Sequence, residues 1–296
     1  MQEFQIFSDS SCDLPDEFIT KYNIELIPFY VTFDQDTYYK ERTEIDRVDF
    51  YQTLINKKIF PKTSLPSVQD YTNKFKAFLS KGIDVLCLCI NQRFSGSYQS
   101  AMNAKLILQD KYPNNKISII DSTQATASQG LLLLQMAYMK EAGYALEECV
   151  NGLERIKPTA RIMFTLDTLD YLAKGGRIGR VISLAGDILN LRPLIQLKEN
   201  ELIPYCKVRG RRKSLDKILY MVEEYFKETN ERYEDYDFCL ANASTYEETA
   251  AVQKRVEELI GRTIVYPVFQ IGVTVGTYTG PGALGVCFVK KYTAKA

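Results

Sequence analysis

The 296-residue chain contains no histidine and no tryptophan. Without histidine, Ser-His-Asp and Cys-His nucleophilic catalysis and every His-ligated metal site are excluded. Net charge is absent too: Lys+Arg and Asp+Glu are both 37, so the basic excess of a general nucleic-acid binder is missing. No apolar run is long enough to cross a bilayer, the longest being Gly130 to Met139. The N-terminus, Met1-Gln2-Glu3-Phe4, lacks the basic and apolar regions of a signal peptide. The seven cysteines are odd in number and scattered, with no C-x-x-C pair. They read as reduced core thiols rather than metal ligands or disulfides. A cytoplasmic protein is expected, with no nucleic-acid partner, metal, cofactor or integral membrane segment.

Apolar residues make up 46% of the chain, enough for a sizeable core. The first half alternates strand and helix. Phe4 to Ser8, Ile83 to Ile90 and Ile117 to Ile120 read as strands, and Ile24 to Phe33 as an extended segment. Ser67 with Asp70 reads as a capping box opening a helix that ends at Gly82. Ser97 is expected to cap a helix to about Gln109. Further helices are expected over Thr126 to Glu141, with Gly143 as the left-handed residue beyond it, and over Leu146 to Ile156. This order predicts a parallel α/β sheet. A second half begins near Ala160, dividing the chain into 1–158 and 159–296. There, Arg161 to Thr165, Tyr236 to Ala241, Thr263 to Phe269 and Val286 to Val289 read as strands. Asp167 to Ala173, Val181 to Leu189, a stretch around Leu215 to Phe226 and Glu247 to Ile260 read as helices. Leu194 to Leu197 and Leu202 to Val208 form a hairpin around Glu199-Asn200.

Five loops are crowded with hydroxyls and small residues: Asp9 to Asp13, Thr63 to Ser67, Ser95 to Ser100, Asp121 to Thr123 and Gly276 to Gly282. Hydroxyls and bare amides hold an oxyanion well but, without a base, activate no nucleophile. The Thr63 and Ser95 loops precede helix starts, where free amides and the helix dipole favour an anion. On spacing alone, plain helix capping is the more economical reading. Gly280 to Gly285 matches G-x-G-x-x-G in form only, because the helix and distal acid of a dinucleotide site do not follow. Ser214-x-x-Lys217 is a weak Ser-Lys pair, and Lys174 to Arg177 is no Walker A loop. Lys207, Arg209, Arg211, Arg212 and Lys213 form a basic cluster suited to an acidic partner or to plain solvation.

Asp9-Ser10-Ser11-Cys12-Asp13-Leu14-Pro15, Thr63-Ser64-Leu65-Pro66-Ser67, Phe94 to Ala101, Leu169 to Gly179 and Gly280 to Gly285, in this order, resemble the DegV family of bacterial lipid-binding proteins. Some of these serve as the fatty-acid-binding subunit of fatty acid kinase. The resemblance implies one two-lobed α/β domain over about residues 3–293. It has an N-terminal lobe with a parallel sheet, a C-terminal lobe with a mixed sheet, and a ligand tunnel between them. It implies a long-chain fatty acid such as palmitate, its carboxylate held by Thr63 and Ser95, with Ser64, Gly96, Ser97, Tyr278 and Thr279 near the head group. It also implies a non-catalytic protein serving a separate kinase subunit, docked on a face bearing Arg177 and Arg209, to which Lys207 and Arg211 of the basic cluster are added as candidate docking residues. Two positions depart from the family pattern: Tyr278 stands where many members have histidine, and Leu65 where glutamine is common. Phe164, Leu166, Leu169, Ile178, Ile182, Leu189 and Phe269 are the expected tunnel wall. The competing readings are a transferase or hydrolase using hydroxyls with Asp9 or Asp121, and a docking module without a ligand.

Overall fold

The computed structural model describes residues 2–185 and 190–294. The first half contains β1 (Phe4–Asp9), α1 (Asp16–Lys21), β2 (Glu25–Ile27), β3 (Tyr30–Thr32), β4 (Tyr39–Lys40), α2 (Arg47–Lys57), β5 (Lys62–Ser64) and α3 (Val68–Leu79). It continues with β6 (Asp84–Cys89), α4 (Ser97–Gln109), β7 (Ile117–Asp121), α5 (Thr126–Glu141) and α6 (Leu146–Ile156). The second half contains β8 (Arg161–Thr165), α7 (Asp170–Lys174), β9 (Leu191–Lys198), β10 (Glu201–Arg209), α8 (Arg211–Thr229), β11 (Tyr236–Asn242), α9 (Tyr246–Ile260), β12 (Phe269–Gln270), α10 (Val273–Thr279) and β13 (Leu284–Lys290).

The parallel sheet runs β2-β1-β6-β7. β1 and β6 are buried along their whole length, as central strands covered on both faces must be. One face carries α3 and α4, whose Tyr71, Phe75 and Ala104 pack on Phe7 and Cys87. α5 covers the other. Its residues Thr126 to Ala137 are all buried, the pattern of a helix surrounded by protein. It packs on the loop after β1 and on β11 and β13, so it is wedged between the lobes. Gly130 makes this approach possible, since a Cβ there would stand 2.6 Å from the Cys12 carbonyl and 2.8 Å from the Phe269 ring.

The mixed sheet runs β10-β9-β8-β13-β11-β12. α8 covers one face, where Phe226 meets Phe238 and Phe288. On the opposite face, pairing places Leu202, Leu197 and Ile162 in one row and Phe164, Gly285 and Ala241 in the next. These rows cross five strands, four interstrand spacings or about 19 Å. A third, small sheet, β4-β3-β5, carries Thr63 on β5.

Several expectations need correction. Ser97 does not cap α4: Gly96 holds the cap position without a side-chain bond, and the Ser97 hydroxyl donates instead to buried Asp9 at 2.7 Å. Residues Thr263 to Tyr266 form no strand, and only Phe269 and Gln270 pair with β11; Pro267 interrupts the run. The helix expected from Val181 is a 3-10 helix, Gly179–Leu184, and the rest of that stretch, Leu189 included, lies largely outside the described residues. α2 and α10 were not anticipated.

Candidate functional site

A cavity of about 990 Å³, open mouth included, lies between the lobes. Its floor is the mixed-sheet face bearing Leu202, Leu197, Ile162, Phe164, Gly285 and Ala241. The N-terminal half contributes Phe29, Ile90, Phe94 and Leu65, and α10 contributes Val275, Tyr278 and Thr279. The wall is overwhelmingly apolar. Among the described residues, Arg177 and Tyr278 are its ionisable members, and no carboxylate, amine or thiol lines it.

The polar wall atoms separate by what they are already bonded to. Thr126 Oγ1 donates to Asp13 at 2.5 Å, Thr274 Oγ1 to Glu41 at 2.7 Å, and Thr279 Oγ1 to the Val275 carbonyl at 3.1 Å. Their protons are committed elsewhere. Thr63 Oγ1 and the Tyr278 hydroxyl share one hydrogen bond of 2.7 Å, leaving that pair a spare proton. Ser95 Oγ accepts from the Ser97 amide at 3.2 Å, so its own proton is free. The hydroxyl protons of the cavity not committed elsewhere are therefore one from the Thr63–Tyr278 pair and one from Ser95, which lies just before α4.

Each donor is fixed by its surroundings. Thr63 pairs in β5 with Val31 of β3. Ser95 follows a turn in which Phe94 and Ser95 amides donate to Asn91 O. That turn sits on a buried knot: Asp9 accepts from Ser11, Ser97, Gln129 and the Ile90 amide. Burial raises the Asp9 carboxyl above its usual range, opposed by those donors. Asp9 is thus a structural acid beneath the loop, and neither it nor Asp121 lines the cavity. Tyr278 lies under the Arg177 guanidinium, 4.9 Å from the ring centroid, in cation–π contact.

The remaining sequence-derived candidates divide. Of the expected wall, Phe164 lines the cavity; Leu166, Leu169, Ile178, Ile182 and Phe269 do not. Ile182 faces solvent and Phe269 packs on α5. Ser64 and Gly96 are exposed, outside the cavity. Arg177 stands at its mouth, donating to the Phe94 and Gly175 carbonyls. Arg211 is no free surface cation: it pairs with Glu248 and donates to the Gly282 carbonyl. Lys207 and Arg209 are exposed on β10. Most of the floor (Ile162, Leu197, Leu202, Ala241) was missed. Alternation marked these strands, but which face borders a cavity depends on pairing between distant strands.

The chain matches the family model described as "Uncharacterised protein, DegV family" over residues 3–291. The chain belongs to the DegV family. A DegV domain-containing protein of Caldanaerobacter subterraneus is 32% identical, the alignment covering 98% of this chain and all of that one (100%). This DegV chain also superposes on a stearic acid-binding protein from Eubacterium ventriosum with a TM-score of 0.93 at 36% identity, covering 98% of this chain and 99% of that one. A fatty-acid-binding DegV family protein from Thermus thermophilus gives a TM-score of 0.87 at 26% identity, covering 98% and 100%. The two-lobed fold with one parallel and one mixed sheet is thus the DegV fold. Among the described residues, no helix of this DegV chain is long and apolar enough to cross a membrane.

Proposed function

We propose that this protein binds a long-chain fatty acid in the cavity between its lobes, with the carboxylate held by Thr63 and Ser95 and assisted by Tyr278. One observation carries the reading: among the described residues the wall is mostly apolar, and the hydroxyls on it with a proton to spare are the Thr63–Tyr278 pair and Ser95, which lies just before α4. The fatty acids in the related structures support it. A tail of ~14 methylenes contributes on the order of 11 kcal/mol before association costs. The head then needs only a few hydrogen bonds to fix orientation. In this reading the protein does no chemistry of its own, and among the described residues the wall offers no carboxylate, amine or thiol as a base. The held acid passes to a separate kinase subunit or to other lipid metabolism, and Lys207 and Arg209 are the exposed β10 cations of the expected docking set, Lys207 also donating to the Ala185 carbonyl.

Native mass spectrometry of the freshly purified protein is expected to show a long-chain acid adduct. Apo protein that takes up neither palmitate nor oleate would end the proposal. Replacing Thr63 and Ser95 together with alanine is expected to weaken acid binding by about 3 kcal/mol or more, at least ~100-fold, given ~1.5–3 kcal/mol per bond to a charged group. The fold should be retained, read by circular dichroism. Tyr278→Phe removes a neutral donor and is expected to cost about 1 kcal/mol.

A further inference from the structure

Behind the cavity wall lies a second polar cluster that head-group binding does not use. Asp13, after β1, and Glu41, after β4, are both almost fully buried. Asp13 Oδ1 and Glu41 Oε1 converge on Gly272, both occupying the space where a Cβ at that position would stand. Glu41 accepts from the Thr274 amide at 2.8 Å, from the Thr274 hydroxyl at 2.7 Å and from the Ser10 hydroxyl at 2.5 Å. Asp13 Oδ2 accepts from Thr126 Oγ1 at 2.5 Å. Thr126 opens α5 and Thr274 lies in the first turn of α10, and both line the cavity. Thr126 has φ +47°, a left-handed conformation costly for a β-branched residue and kept only where neighbours hold it.

Other groups face the pair. Arg42 and Arg47 bring positive charge toward Asp13, while the Cys12 thiol and the Tyr51 hydroxyl of α2 lie close by. Neither arginine is committed to it: Arg42 donates to the Leu14 carbonyl and pairs with Asp16, and Arg47 donates to the Gln270 carbonyl. Two ionised carboxylates this close, away from water, repel strongly, and such pairs retain a proton. The geometry leaves Asp13 Oδ1 to carry it toward Glu41 Oε1, since Asp13 Oδ2 and Glu41 Oε2 already accept from hydroxyls. Burial, with the neighbouring Glu41 charge, pushes the Asp13 carboxyl up to about 8.

We infer that Asp13 and Glu41 share one proton and act as a single positioning unit, holding the starts of α5 and α10 against the cavity so that ligand binding is lost when the proton leaves. Its loss sets two like charges against each other at Gly272, and separating them draws α10, which carries Val275, Tyr278 and Thr279, away from the N-terminal half.

This inference rests on the lipid-binding reading, and its test separates the two. Affinity is measured from about pH 7 to about pH 9 with a fluorescent polyene fatty acid and with 1-hexadecanol, which does not ionise in that range. The native protein is expected to lose roughly 10-fold or more for both ligands, the alcohol excluding titration of the ligand itself. Asp13→Asn supplies a permanent N–H donor toward Glu41 and is expected to keep its neutral-pH affinity and flatten the profile. Glu41→Gln removes the like charge and is expected to flatten it as well, giving a second variant should the first fail to fold. A flat profile in the native protein overturns the inference. So does a loss near pH 8 that persists in a folded variant. Failure to bind acid at any pH would instead strike at the lipid-binding proposal.

Discussion

Laurate is expected to bind roughly 200-fold more weakly than palmitate, because removing four methylenes from an apolar cavity forfeits about 3 kcal/mol. The expectation follows from how the wall is built. The floor is one face of five adjacent strands, with Leu202, Leu197, Ile162, Phe164, Gly285 and Ala241 in two rows set by strand pairing. The opposite wall adds Phe29, Ile90 and Phe94. Each added methylene leaves water for contact with these side chains, while the head contributes the same bonds at every length. Affinity should therefore rise steadily with chain length until the cavity is filled, then level off. Isothermal titration of a homologous series checks this. Laurate and palmitate binding equally well would mean that the head group dominates, and the assignment of this cavity to the tail would be wrong. The division of labour also predicts that Thr63→Ala/Ser95→Ala lowers the whole series by a constant factor without changing its slope.

Much of this arrangement is legible in the sequence where the determinants are local. The Ser67/Asp70 capping box forms as expected, because both partners lie within one turn. The β9–β10 hairpin turns at Glu199 and Asn200, with φ +51° and +70°, the pair of positive values that a two-residue turn between twisted strands requires. α5 is recognisable by length and by apolar residues on every side. α10 is different. Its sequence, Val-Thr-Val-Gly-Thr-Tyr-Thr, is rich in β-branched residues and reads as a strand or loop. It becomes a helix where Glu41, from the other end of the chain, accepts the Thr274 amide. α2 had a local signal that was overlooked: Asp46 accepts from the Val48 and Asp49 amides. Thr63 and Ser95 became candidates through loop chemistry and resemblance. That they share a cavity is set by packing of the small sheet against α10, which no local pattern encodes. The expected wall drew on residues near the Leu169–Gly179 motif, whereas the observed floor comes from strands paired across distant parts of the chain.

The acid pair at Gly272 also makes a measurable demand on folding. In an unfolded chain an aspartate titrates near 3.9, whereas burial and the Glu41 charge push folded Asp13 up to about 8. Between those values the folded protein holds a proton that the unfolded chain has released. Stability linked to Asp13 is then fully present below the lower value and falls as pH rises, by about 1.4 kcal/mol per pH unit, until the folded group itself ionises near the upper value. Asp13→Asn removes this linkage. Groups that do not face the pair contribute equally to both proteins and cancel in the difference. Equilibrium urea unfolding is therefore expected to show the native protein losing stability relative to the variant by about 3 kcal/mol between about pH 5 and about pH 7.5, with the difference levelling off above about pH 8. Parallel stability curves would mean that Asp13 ionises at its ordinary pH inside the fold. The Arg42 and Arg47 charges would then have to outweigh both desolvation and Glu41, and the left-handed start of α5 at Thr126 would be held by a carboxylate rather than by a shared proton.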